Sequence, residues 1–297
     1  MLVSDMVDIC RNRYLLGGAI EQRNKLAAAY TAGQTTLAFQ YDLRGIAAGC
    51  RIAVGGNTFY VWAVDTSSNT ATVQGGESGS TDANADLGAI VQVNPRYTQD
   101  NIFDAINEEI LDLGSPQTGL YQIQRTTVVY NPSRVGYDLP GVTDITQIVE
   151  VRVDQPDQFM RTPRLDSHMY SLERNYSTTD NSSGFSIKIK GGGWPGRNVN
   201  ILYRAPFTPY TSTSVDALTS GLTSSMLDIP SLGAAIRLLS GREVRRNQIE
   251  AQGDTRRAEE VGPGAQAASW RGIAALRQAR ISAEVAKLSA ANPSRMW

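Results

Sequence analysis

Between Thr35 and Asn94 the chain carries the β-rich runs "TTLAFQ", "CRIAVGGNTFYVWAVD", "TATVQGG" and "GAIVQVN", with Gly-Gly-Asn and Ser-Ser-Asn turns among them. Runs this short, joined by turns this tight, pair with their sequence neighbours as hairpins. Residues 34–95 are therefore expected to form a small antiparallel β module, with the texture of a five-stranded barrel.

The hydrophobic period changes on both sides of this module. Ser4-Asp5 reads as an N-cap, and Met6, Ile9, Cys10 and Leu16 keep helical spacing up to Gly17-Gly18. This predicts a helix over about 5–16, with helical continuation through Lys25–Ala29. "TQDNIFDAINEEILDLGSP" restores the same period: Thr98 can cap it, Ile102, Phe103, Ile106, Ile110 and Leu113 form one stripe, and Gly114 and Pro116 end it. If the two helices pair, the β module is an insertion between them.

From Tyr121 to Tyr210 the texture is β again, in "QRTTVVY", "DITQIVEVRVD" and "GFSIKIKGGGWPGRNVNILYRAPF". An antiparallel sheet or sandwich is expected there. After "DIPS" the pattern is helical, with Pro230 at the start, Leu232, Ala235, Ile236, Leu239 and Val244 on one face, and a last helix over about 266–290. The expected fold class is α+β. A helical bundle (paired N-terminal helices, 1–33 and 96–118) carries an inserted small β-barrel-like module (34–95) and a second antiparallel sheet or sandwich (119–212). Long C-terminal helices and an extended C-terminal tail complete it (213–297).

With 41% hydrophobic and 19% charged residues, the chain lies in the globular range. No stretch approaches the roughly 20 apolar residues of a membrane span. "MLVSDMVDICRNRYLLGG" has acids where a signal peptide needs bases, so synthesis in the cytosol is expected. Two cysteines, Cys10 and Cys50, are too few for a disulfide framework or a four-cysteine zinc site.

Catalytic chemistry finds few handles. His168 is the only histidine, which excludes His-rich metal sites, and "GESGS" lacks the second glycine of a nucleophile elbow. "GGGWPGRN" (191–198) lacks the lysine-serine ending of a phosphate loop and lies between strand-like runs, so a wide hairpin turn with a packed Trp194 is expected. "DANADLG" spaces Asp82, Asn84 and Asp86 like a calcium loop, but Leu87 and Val93 stand where the loop needs glycine and glutamate. A polar turn is expected. "GREVRRNQIEAQGDTRRAEEV" alternates in sign, as a solvated helix does, and carries too small a surplus for a dedicated DNA reader.

The charge is nonetheless uneven. Residues 230–297 hold 11 Lys/Arg against 6 Asp/Glu, and the rest of the chain 17 against 23. An acidic body with a basic C-terminal arm suits self-association or docking to an acidic surface. The final helix combines an apolar stripe with a basic edge over Ile273, Leu276, Arg277, Arg280, Ile281, Val285 and Leu288. Asn292 and Pro293 then release "SRMW", a cation and two large apolar tips suited to a pocket on another chain.

The β insertion with its "VQGGESGS" element, the following helix "TQDNIFDAINEEILDL", "LDIPSLGAAIRLLSGREVRRNQIE" and "QARISAEVAKLSAANPSRMW" together resemble the head-to-tail adaptor (neck, connector or head-completion) proteins of tailed bacteriophages. The likeness is one of element order and texture over most of the chain. It implies a structural virion protein, not an enzyme and without a cofactor. Such proteins form a homo-oligomeric ring of about twelve subunits under the portal, extend the DNA channel and give the stopper or tail-terminator protein its platform. Double-stranded DNA then passes close by without specific binding.

Portal docking would fall to Arg277, Arg280, Ser294, Arg295, Met296 and Trp297, and subunit or partner contacts to Arg242, Arg245, Arg246, Arg256 and Arg257. A channel for DNA should be acidic or neutral, which sets Arg242, Arg245 and Arg246 away from it. Two other readings stay open. A carbohydrate- or receptor-binding β module would need an exposed aromatic platform or an acidic calcium site; Trp62, Trp194, Tyr203 and Tyr210 are the candidates, although core packing is the commoner fate of such residues. A β-sheet hydrolase would need two of Asp138, Asp144, Glu150 and Asp154 brought together.

Overall fold

The computed structural model describes residues 1–16, 22–77, 80–134, 136–139, 141–142, 144–154, 164–175, 177, 179, 181–191, 194–251 and 265–291, with the side chains of 241–251 and 265–269 left outside that description. The chain is α+β, with helices and antiparallel sheets that include one curled as a half-barrel. Among the described residues, no helix is long and apolar enough to cross a membrane. Two compact units are present: Met1–Glu109 with Tyr210–Ala217 and Ser224–Arg280, and Ile110–Pro209 with Leu218–Thr223 and Ile281–Trp297.

In the first unit the chain opens with helix α1 (Val3–Ile9), which widens into a π-helical segment at Cys10–Leu15. The helix starts before the predicted Ser4 cap because Asp5 accepts the Leu2 amide at 2.8 Å, satisfying one donor of the first turn. Six strands follow: β1 (Arg23–Lys25), β2 (Thr36–Ala38), β3 (Arg51–Val54), β4 (Asn57–Asp65), β5 (Thr70–Gln74) and β6 (Ile90–Val93). They make one sheet in the order β1-β6-β3-β4-β5-β2.

The β3–β4 hairpin turns on Gly55-Gly56, with Val54 facing Asn57 and Gly55 at φ +60°, where a side chain would be strained. The inward faces bury Leu26, Leu37, Ile52, Val54, Phe59, Val61, Val73 and Val91 around Tyr30, which meets Phe59 edge-on at 4.9 Å. Five of the described strands, β2–β6, lie within 34–95, and the sixth, β1, joins the sheet from before that module. One expectation changes here: the predicted helical continuation over Lys25–Ala29 is absent. Arg23–Lys25 instead pairs with β6, and Leu26 bridges Phe39. Burial of Leu26 and Tyr30 in the sheet core outweighs the weak helical preference of that stretch.

Helix α2 (Gln99–Leu113) opens as expected, with the Thr98 hydroxyl accepting the Asn101 amide at 3.3 Å. Helix α3 (Asp228–Ala251) buries Ile229, Leu232, Ala234 and Ala235 in its first two turns. Helix α1 and its π-helical extension meet α3 where the Ser231 hydroxyl donates to the Met6 carbonyl at 3.3 Å and the Cys10 thiol approaches the Ser231 carbonyl at 3.4 Å. Burial pushes the Cys10 thiol up to about 12, so it stays protonated and unreactive. Tyr210 ties α1 to α2: its amide and carbonyl bond the Asn107 side chain at 2.8 and 3.0 Å, while its hydroxyl donates to the Ala217 carbonyl at 2.7 Å and lies 3.8 Å from the Met6 sulfur. The half-barrel sheet is thus inserted between two helices that return to common partners.

Among the described residues, the second unit contains two three-stranded antiparallel sheets. One is β7 (Gln122–Val129), β12 (Asn198–Ala205) and β9 (Gln147–Val153), in the order β7-β12-β9; the other is β10 (Tyr170–Glu173), β11 (Ser186–Ile189) and β8 (Gly136–Asp138), in the order β10-β11-β8. Both contribute to one core containing Val128, Tyr137, Val151, Ile187, Val199, Ile201 and Tyr203. The "GGGWPGRN" segment is not a hairpin. It leads from β11 in one sheet to β12 in the other, and Trp194 is 50% exposed rather than packed. Alternation along a strand says which face a residue takes, but not which sheet the strand joins.

Asp138 ends β8 and accepts four hydrogen bonds, from the amides and hydroxyls of Ser182 (3.0 and 2.7 Å) and Ser183 (3.2 and 2.6 Å). These bonds, the Ser183 hydroxyl foremost, hold its carboxyl down at about 2. A depressed carboxyl adds stability that is present above the unfolded value near 4 and is lost as pH falls toward 2. Asp138→Asn is expected to cost about 1 kcal/mol at pH 7, after allowance for solvent screening. That difference from the native chain should shrink in urea melts as pH falls and vanish below about pH 2.

Candidate functional site

Glu109 sits on α2 beside the apolar stripe and is 2% exposed. An isolated carboxylate there would be costly, and burial does push its pKa up. Two arginines oppose that shift, Arg277 more than Arg237. Arg277, on α4 (Ala265–Ala291), donates to Glu109 Oε1 from Nε at 2.6 Å, with Nη2 at 2.5 Å. Arg237, on α3, lies 3.5 Å from Oε2 and also reaches Glu108 at 3.2 Å.

The close approach needs Gly233, one turn before Arg237. A Cβ at that position would overlap the Glu109 carboxylate group. Arg280, one turn after Arg277 along α4, forks onto Asp228 at the start of α3, with 2.8 and 3.1 Å contacts, and donates to the Ser225 carbonyl at 2.6 Å. Planar two-point pairing of this kind fixes orientation as well as distance. Through Arg280, the arm of α4 is thereby held by two ion-paired points.

The second unit offers a polar cleft on the outward face of β7-β12-β9, about 410 Å³ in volume and lined by Arg125, Glu150, Arg152, Asp154, Asn200 and Leu202. Strand register creates it: Leu202 faces Arg125 on one side and Glu150 on the other, and Asn200 faces Thr127 and Arg152. Buried Glu150 pairs with Arg152 and, at 2.7 Å, with Arg164. Asn200 accepts from Arg125 and from Thr127 at 3.0 Å and donates to Asp154 at 2.9 Å. Burial opposes ionisation of Glu150, but the Arg152 and Arg164 hydrogen bonds prevail and hold its carboxyl below the usual range. These bonds favour its ionised form, the opposite of what the acid of a carboxylate pair needs. The cleft brings Glu150 and Asp154 together, while Asp138 is engaged by serines elsewhere.

In the first unit Trp62 is 59% exposed, not packed as expected for a strand tryptophan. Along β4, Phe59 and Val61 point inward, so Tyr60 and Trp62 point outward. Their rings meet edge-on at 4.7 Å, and the indole N–H donates to Gln74 Oε1 at 3.3 Å. Tyr203 and Tyr210 are buried. Asp82 and Asn84 serve the fold. Asp82 accepts from Tyr30, Asn57 and the Gly33 amide at 2.8–2.9 Å, and Asn84 accepts from the Ala32 amide at 2.8 Å. His168 is in a short 3₁₀ turn, Ser167–Met169, with its side chain exposed.

Of the residues expected to dock a partner, Arg277 and Arg280 are paired within the chain by the contacts above. Arg242, Arg245 and Arg246 lie on α3, but their side chains fall outside the described residues, as do Arg256, Arg257, Ser294, Arg295, Met296 and Trp297. Sequence reasoning did not single out Glu109, Asp228 or Gly233. A carboxylate beside an apolar stripe was a visible signal for the first; its partners, distant in sequence, were not. Compared with known proteins, the chain matches no family model and no curated protein.

Proposed function

We propose that this protein is a head-to-tail adaptor of a tailed-phage virion. In this reading it forms a homo-oligomeric ring under the portal that lengthens the DNA channel and receives the stopper or tail. The observation that carries the proposal is the insertion itself: a six-stranded sheet between α1 and α2, with both helices returning to Tyr210 and α1 also to α3. That order is the one on which the resemblance to adaptors rests. In the same reading the helices form a bundle, the inserted sheet is barrel-like and the second unit is a sandwich.

The ion pairs on α4 add a physical rationale. An arm delivering a tail to a pocket on another chain gains affinity if it is already rigid, because less motion is lost on docking. Arg277 and Arg280 are then the positioning residues of the arm, and Ser294, Arg295, Met296 and Trp297 make the contact. A ring also needs two unlike surfaces on each subunit; in this reading the mixed-charge cleft on β7-β12-β9 would be one of them. The test is retention of the full chain on immobilised portal assemblies. Stoichiometric retention is expected, and no binding under any salt or pH condition contradicts the proposal.

A further inference from the structure

We propose that the outward face of the half-barrel sheet around Trp62 is a saccharide-binding platform that takes one pyranose ring against the indole. It does not depend on the adaptor reading.

The register of β4 against β5 shifts between Val61 and Ala63, so Trp62 is the extra residue of a β-bulge. Bulges re-aim a side chain out of the regular pleat. A single exposed aromatic residue is ordinary; this one is braced. Tyr60 meets it edge-on at 70°, and Gln74 holds its N–H, so the ring is fixed with much of its surface in water. A fixed ring has little freedom left to lose on binding.

Polar groups rim it in direct cross-strand register, with Arg51 opposite Tyr60 and Tyr60 opposite Gln74. One guanidinium, one phenol and one carboxamide are donors and acceptors matched to ring hydroxyls, while the apolar C–H face of a pyranose matches the indole.

The size of the patch selects the occupant. Trp62 and Tyr60 together expose about 200 Å² or less, against the roughly 800 Å² per partner of a stable protein interface. A second copy of the chain would therefore need contacts well beyond it. Single-stranded nucleic acid needs a cationic track and successive stacking positions; this row has one indole and one guanidinium. A single sugar ring fits the size, and its hydroxyls can pair with the one guanidinium without a cationic track.

The full chain would be screened on a glycan array. The best hits would then be titrated by calorimetry into the native chain and its variants alike, and the Trp62 indole N–H signal of the native chain followed by NMR, beside a short oligothymidylate and a dilution series without ligand. The expected result is at least one saccharide that moves this signal, with binding weakened at least about tenfold in Trp62→Ala and partly kept in Trp62→Tyr. An unchanged melting midpoint in both variants would show that the fold is intact. An array without hits, sugar binding that survives in Trp62→Ala, or a signal that answers only to oligothymidylate or to protein concentration would overturn the proposal. Portal retention of Trp62→Ala keeps this failure separate from failure of the adaptor reading.

Discussion

Replacing Glu109 with alanine is expected to destabilise the first unit by about 3 kcal/mol, at the lower end of the cost of breaking a buried ion pair. The change removes the carboxylate that Arg277 and Arg237 share and leaves Arg277 in a site with little solvent to replace it. The Arg277 side chain is 21% exposed, so water can recover part of the loss. Arg237 keeps Glu108. Glu109→Gln retains shape and one acceptor and should cost less. Gly233→Ala acts from the other side, because its methyl group must displace a carboxylate that two arginines hold. Urea denaturation at pH 7 measures all three. A loss below about 0.5 kcal/mol in Glu109→Ala would mean that the arginines find equivalent partners and that the α4 contact is incidental.

The second large effect concerns binding rather than folding. Deleting Ser294–Trp297 is expected to leave the urea and thermal transitions unchanged and to weaken attachment to the portal by more than about tenfold, the scale of one modest hot spot. Arg277→Met separates delivery from contact. If α4 is the arm that presents the tail, this variant should lower affinity even though the tail is intact, and the loss should exceed what its effect on stability explains. Surface competition for immobilised portal, the native chain against Arg277→Met and then against the deleted chain, gives both numbers. Equal affinity of the two chains would remove the tail from the docking account.

The sequence carried the local parts of this fold and missed the long-range ones. The Thr98 cap, the stripe Ile102–Ile106–Ile110–Leu113 and the Gly55-Gly56 hairpin were all legible, because each depends on residues close together in the chain. β1 was misread because a three-residue edge strand has no period of its own; β6, nearly seventy residues later, makes it a strand. The 191–198 segment was misread for a related reason, since sheet membership is decided by partners that alternation does not name.

At the candidate sites, the phase of β4 already placed Tyr60 and Trp62 on the face opposite Phe59 and Val61. The general tendency of tryptophan to pack inward obscured that reading. The paired roles of Glu109 with Arg277 and of Asp228 with Arg280 span 168 and 52 positions. The arginines were visible as a basic edge of the last helix, but nothing local could reveal that their donors are engaged within the chain.

The most direct test of the central proposal is cryo-electron microscopy of the full chain mixed with its portal, read for symmetry. A closed ring of identical subunits seated coaxially under the portal, with continuous density at the end of α4 entering it, is the predicted result. Portal particles that remain bare at saturating protein, or that bind single copies at scattered positions without a ring, would contradict it.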